Sequence, residues 1–121
     1  MSVSMTLDAV RAQTKTVTRR HVDSWKDLKP GDRLTLIEKG MGLPKGAKQV
    51  VVCEVEITAV DVEPITDVEL DPEECRREGL PHMTPAEFIR FWLAGHGYGN
   101  ASAMHVQCRR IEWRYLEGDL S

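Results

Sequence analysis

Two apolar alternations that each change phase part-way along limit this chain more than any other feature. In the first, Val51, Cys53, Val55, Ile57 and Ala59 alternate with Glu54, Glu56 and Thr58, after which the apolar positions move to Val60 and Val62. In the second, Met104, Val106 and Cys108 share one phase and Ile111, Trp113 and Tyr115 the other, with the break at Arg109 and Arg110. A period of two is that of a half-buried strand, and one extra residue flips which face is buried. Bulges of that kind bend strands at the corners of curved sheets and barrels. Two long strands that bend predict a small, strongly curved sheet or closed barrel rather than a flat one.

Shorter signals fill in the rest. Residues 6–13, "TLDAVRAQ", read as a short helix with Leu7 and Val10 inward. Pro30-Gly31-Asp32 predicts a turn into a strand in which Leu34 and Leu36 alternate with Arg33 and Thr35. The glycine- and lysine-rich stretch 39–49 reads as a loop without the spacing of a phosphate-binding loop. "DPEECRREG" predicts a helix capped by Asp71 and stopped by Gly79. In "MTPAEFIRFWLAG", Thr84-x-x-Glu87 is a capping box, Pro85 takes the first helical position and Gly95 is the stop, so Glu87 reads as a cap rather than a catalyst. Phe88, Ile89, Phe91, Trp92 and Leu93 form one broad apolar stripe, read as core. Glycines 95, 97 and 99 around His96 and Tyr98 predict a loop able to cover a ligand.

At 121 residues the chain has the length of one domain, and a single domain over 1–121 is expected. No apolar run approaches the roughly 20 residues that span a bilayer, and the first residues lack a secretion signal's cationic start and apolar stretch. A cytoplasmic protein without a membrane partner is the expectation. Three cysteines at wide spacing argue against a disulfide framework, and the four histidines match no zinc spacing. No metal and no cofactor is therefore expected. Charge is segregated: ten Lys/Arg stand against four Asp/Glu between Arg11 and Lys48, and two against ten between Glu54 and Glu78. The first segment suits an anionic partner such as RNA, and the second would repel it.

The basic segment contains "AQTKTVTRRH", residues 12–21, with threonines at every second position and cations between them. Alternating threonine suits a strand. On a strand Lys15 and Thr18 would point to opposite faces, so they can meet only if the chain turns near Thr16 before the strand begins.

Taken in order, a helix, "TKTVTRR", "LKPGDRLTL", a long strand, "EGLPHMTPAEFIRFW" and the terminal "VQCRRIEWRYL" resemble the ASCH domain, a branch of the PUA-like β-barrels, over nearly the whole chain. The most specific part is the signature G-x-K-T-x-T-x-R, met here as Lys15-Thr16-Val17-Thr18-Arg19-Arg20 with Gln13 at the glycine position. The resemblance implies an α+β fold, a small β-barrel of about five to six strands with two to four short helices. It also implies a basic cleft beside the barrel that binds RNA or a modified nucleoside. A small bacterial subgroup hydrolyses N4-acetylcytidine with Lys, Thr and Glu, and those roles carry over to Lys15, Thr18 and Glu78. Other members are linked to ribonuclease activity, a weaker alternative here.

As amide-hydrolase chemistry, Thr18 is the nucleophile, Lys15 its base if burial or the neighbouring Arg19 and Arg20 lower its pKa, and Glu78 the proton carrier to the leaving nitrogen. The remaining candidates for holding a cytidine derivative or RNA are Thr16, Arg19, Arg20, Arg109 and Arg110, with Trp25 as a base-stacking ring.

Overall fold

The computed structural model describes residues 1–38, 50–99 and 102–116. The stretch 39–49 expected to be a loop lies outside them.

Four strands, β1 (Val17–His21), β2 (Arg33–Ile37), β3 (Val51–Pro64) and β4 (Gln107–Tyr115), form one antiparallel sheet in the order β1-β4-β3-β2. Three α-helices accompany it: α1 (Leu7–Arg11), α2 (Glu73–Arg77) and α3 (Pro85–Gly95). The result is an α+β fold, a curled half-barrel. The described residues hold four strands rather than the five to six implied by resemblance. One reason is visible at the β2 edge. Residues 1–3 run along it, with the Val3 amide donating to the Ile37 carbonyl and the Ile37 amide to the Met1 carbonyl, both at 2.9 Å, yet they make only the single parallel bridge Ser2 to Ile37.

The two phase changes have different causes. In β3 the register against β4 slips between Ile57 and Ala59, leaving Thr58 as the extra residue of a bulge just before the expected position. In β4 there is no bulge at Arg109 and Arg110, for the ladder to β1 runs unbroken from Glu112 to Cys108. That strand instead buries opposite faces at its two ends. Ile111 and Trp113 join Val10, Leu36, Val55 and Ile57 in one core cluster, while Val106 and Cys108 join Ile65, Val68, Phe88 and Trp92 in another. A phase change therefore marks a transfer between two cores as readily as an inserted residue.

The helices follow local chemistry. In α3 the Glu87 amide donates to Thr84 Oγ1 (3.2 Å) and the Thr84 amide to Glu87 Oε1 (3.0 Å), which is the predicted capping box. At α2 the Glu73 amide donates to Asp71 Oδ1 at 3.0 Å. All three helices end in the same motif, a residue of positive φ whose amide donates to the carbonyl three residues back while the next amide donates to the carbonyl five residues back. Gln13 (φ 61) donates to Val10 and Thr14 to Ala9; Gly79 (φ 86) donates to Arg76 and Leu80 to Cys75; Gly97 (φ 83) donates to Ala94 and Tyr98 to Leu93. The first two of these caps carry the residues of the candidate site.

Candidate functional site

Reversal of the chain at Gln13 places Thr14, Lys15 and Thr16 ahead of β1, so the turn needed to bring Lys15 and Thr18 together exists, three residues earlier than Thr16. Thr16 is pinned on both sides, its amide donating to the Arg77 carbonyl (2.8 Å) and its carbonyl accepting from the Trp113 amide (2.9 Å). Two tryptophans, one from each core, hold the ends of the signature. Trp113 Nε1 donates to the Lys15 carbonyl (3.1 Å), which also accepts from the Tyr115 hydroxyl, and Trp92 Nε1 donates to the Arg19 carbonyl (2.9 Å). Backbone clamped in this way presents its side chains with little freedom.

Lys15 and Glu78 come from the two facing caps. Lys15, only 3% exposed, donates from Nζ to the Glu78 main-chain carbonyl at 2.6 Å and lies 3.7 Å from Glu78 Oε1 and 5.9 Å from the centre of the Trp113 ring. The carbonyl is a free acceptor because Glu78 is the C-cap of α2. Burial lowers the pKa of Lys15; Glu78 opposes the shift, and Arg20 and Arg19 add to it. Thr18 is buried in β1 beside them.

Arg19 is the structural centre. Its Nη1 donates to Glu78 Oε2 (2.9 Å), and its Nη2 to Glu74 Oε1 (2.7 Å) and Glu63 Oε1 (3.1 Å). Glu74 is bound in turn by Arg110 and Arg77. Burial acts to raise the Glu74 pKa, but hydrogen bonds from Arg110, Arg19 and Arg77 outweigh it and hold the carboxyl at about 2. Burial pushes Glu63 up. Arg20 donates from Nη2 to the Ser2 carbonyl at 2.8 Å.

Lys15, Thr18, Arg19, Arg20 and Glu78 line one cavity of about 220 Å³. The lining also includes the apolar Leu80, Phe88, Phe91 and Trp92, with His96 at the end of α3; Phe91, expected in the core stripe, is 38% exposed instead. An engineered apolar cavity of about 150 Å³ accepts benzene, so this one has room for a heterocyclic ring bearing a short substituent. His96 stacks on Trp92 (ring centroids 4.0 Å apart) and its Nδ1 lies 2.8 Å from the Trp92 carbonyl, which can only accept, so Nδ1 carries the proton. Burial lowers the His96 pKa, with Arg20 and His21 adding to the effect against that hydrogen bond. The neutral ring therefore offers an acceptor at Nε2.

The remaining sequence candidates are elsewhere or engaged. Trp25, with φ 60 and 38% exposed, lies at a shallow depression of about 510 Å³ whose wall includes Asp23, Asp27 and Asp32, a poor surface for phosphate. Arg109 donates from Nε and Nη2 to the Val22 carbonyl, and Arg110 binds Glu74 and Glu112. Among the described residues no group of His, Cys, Asp and Glu is disposed to hold a metal ion, and no helix is long and apolar enough to cross a membrane. The Cys108 thiol, pushed up to about 12 by burial, is not a nucleophile at neutral pH. Residue patterns left Trp92, His96 and Glu74 out of the site. For Glu74 a signal existed: Glu74 and Glu78, four apart on a helix, form a like-charge pair that calls for a cation between them.

No family model and no curated protein matches the chain. Among solved structures it is similar to protein EF3133 from Enterococcus faecalis, described as family-model DUF984, with a TM-score of 0.59 and 16% identity over 93% of this chain and 71% of that one. The likeness is one of fold.

Proposed function

We propose that the chain is an ASCH-type, PUA-like protein whose cavity binds a modified nucleoside, an N4-acylated cytidine, and hydrolyses its amide. The observation that carries this reading is the burial of Lys15, Thr18 and Glu78 in the wall of one ring-sized cavity. A lysine with a lowered pKa reaches the neutral form more readily, and a neutral amine keeps two N–H bonds and a lone pair. One N–H serves the Glu78 carbonyl while the lone pair takes the proton of the Thr18 hydroxyl. Thr18 Oγ1 then attacks the acyl carbon, the bond from that carbon to N4 breaks as Glu78 passes to N4 the proton that Lys15 took from Thr18, and water hydrolyses the resulting threonine ester to free acid and hydroxyl. Arg19 keeps Glu78 oriented through Oε2, leaving Oε1 nearer Lys15.

Recognition without chemistry is the second reading, favoured by one observation: the acceptors at Lys15 Nζ belong to Glu78. In resting enzymes catalytic hydrogen bonds often tighten only when substrate binds, so this geometry is compatible with either reading. A polymeric RNA surface and a ribonuclease are less well supported, because Arg19, Arg109 and Arg110 are engaged with carboxylates or carbonyls.

Deacylation of N4-acetylcytidine decides between the two. Thr18→Ala and Lys15→Ala should each reduce turnover by about a hundredfold or more with the circular dichroism spectrum retained, and the double variant should be little worse than either. Glu78→Gln should lower kcat more than it raises KM. Binding of the nucleoside without cleavage would leave the recognition reading standing.

A further inference from the structure

Charge around the cavity does not close on itself. Three cations, Lys15, Arg19 and Arg20, share its wall with one carboxylate, Glu78. Arg19 is compensated from behind by Glu63 and Glu74, and Lys15 has the Glu78 carbonyl and carboxylate. Arg20 forms no ion pair with any described residue. It is half-buried, its Nη2 donates to the Ser2 carbonyl, and its Nε is enclosed without an acceptor. A strut to a backbone carbonyl needs a donor, not a charge, and a guanidinium withdrawn from water without a counterion is costly. Burial lowers the Arg20 pKa and Glu78 opposes it, and an arginine guanidinium stays charged in proteins.

We propose that the substrate carries a negative charge, a carboxylate or a phosphate, that pairs with Arg20 in this cavity. Arginine matches both groups through parallel N–H bonds. The charge can come from an acyl group ending in a carboxylate or from a nucleotide phosphate, and the two sources place it on opposite sides of the scissile amide. This deepens the hydrolase reading and rests on it for the identity of the substrate, but anion binding at Arg20 does not require turnover.

The test compares kcat/KM of the full chain for N4-acetylcytidine, N4-succinylcytidine and N4-acetylcytidine 5′-monophosphate, alongside titration calorimetry with succinate and with inorganic phosphate at low ionic strength. One anionic substrate should exceed the neutral one by about ten- to hundredfold, the range of a charge-assisted hydrogen bond. Which one does so identifies the source. In Arg20→Gln that ratio should fall towards one, and Arg20→Lys, which keeps the charge without the planar fork, should lose part of it. If Arg20→Gln fails to fold, the Arg20→Lys ratio and wild-type calorimetry carry the decision. Equal rates on all three substrates, or a preference untouched by the substitution, overturns the proposal. If nothing is hydrolysed, the hydrolase reading falls and calorimetry decides: binding of succinate or phosphate that weakens at least tenfold in the variant upholds the anion site, and no binding of either rejects it.

Discussion

Gln13 stands where the signature it resembles has glycine, and its backbone takes the left-handed conformation (φ 61) that glycine adopts without strain. The turn shape is thus kept at a steric cost of about 1 kcal/mol for an L residue. Gln13→Gly should stabilise the protein by about 0.5 kcal/mol once the greater freedom of glycine in the unfolded chain is set against that strain. Urea denaturation checks this through a higher midpoint at unchanged slope. A loss of stability would mean that the Gln13 side chain contributes more than its backbone costs. The spacing of Lys15 and Thr18 was legible in the sequence, but the left-handed backbone at Gln13 that reverses the chain before them was not, because residue type alone argued against it.

At the scale of elements, the C-terminal cap of α2 abuts the first turn of α1. A Cβ built on Gly79 would lie 3.0 Å from Ala9 Cβ and 3.1 Å from Thr6 Cβ, so the glycine is needed for close approach as well as for φ 86. Gly97, with a similar φ of 83, has nothing within 4 Å. Gly79→Ala should therefore cost about 2–4 kcal/mol, from strain and overpacking together, and Gly97→Ala about 1–2 kcal/mol from strain alone. Equal losses in thermal or urea unfolding would show that the contact of the α2 cap with α1 is unimportant. Gly79→Ala should also reduce activity, because the displaced residue adjoins Glu78. The start of α3 was readable from Thr84, Pro85 and Glu87, since those signals are local, but Gly95, expected to stop the helix, is its last helical residue and the positive-φ residue that closes it is Gly97. The break in β4 was misread because periodicity reports which face is buried without saying by which core.

For the molecule as a whole, the ion network around Arg19 joins β1, β3, β4 and α2. Glu74 titrates near 2 when folded against an ordinary 4.5, so the folded state binds fewer protons in that interval. Its stabilisation is complete above pH 4.5 and is lost as pH falls through 2, on the order of 3 kcal/mol if the unfolded carboxyl is ordinary. Unfolding measured from pH 7 down to pH 2 should show this limb, and Glu74→Gln, though less stable at pH 7, should flatten it. An unchanged slope in the variant would assign the acid limb to other carboxylates. This network was hidden in the sequence because its members lie far apart in the chain, where no local pattern links them. The contacts at Lys15 are longer still: 63 residues separate it from Glu78 and 98 from Trp113. Closing loops of that length is slow and entropically unfavourable, so these contacts belong late in folding, after helices and hairpins have formed. A partly folded molecule lacking β4 keeps the signature residues and the reach of Lys15 to Glu78 but loses the Trp113 and Tyr115 bonds to the Lys15 carbonyl, so the cavity wall is fixed only once that strand has joined the sheet.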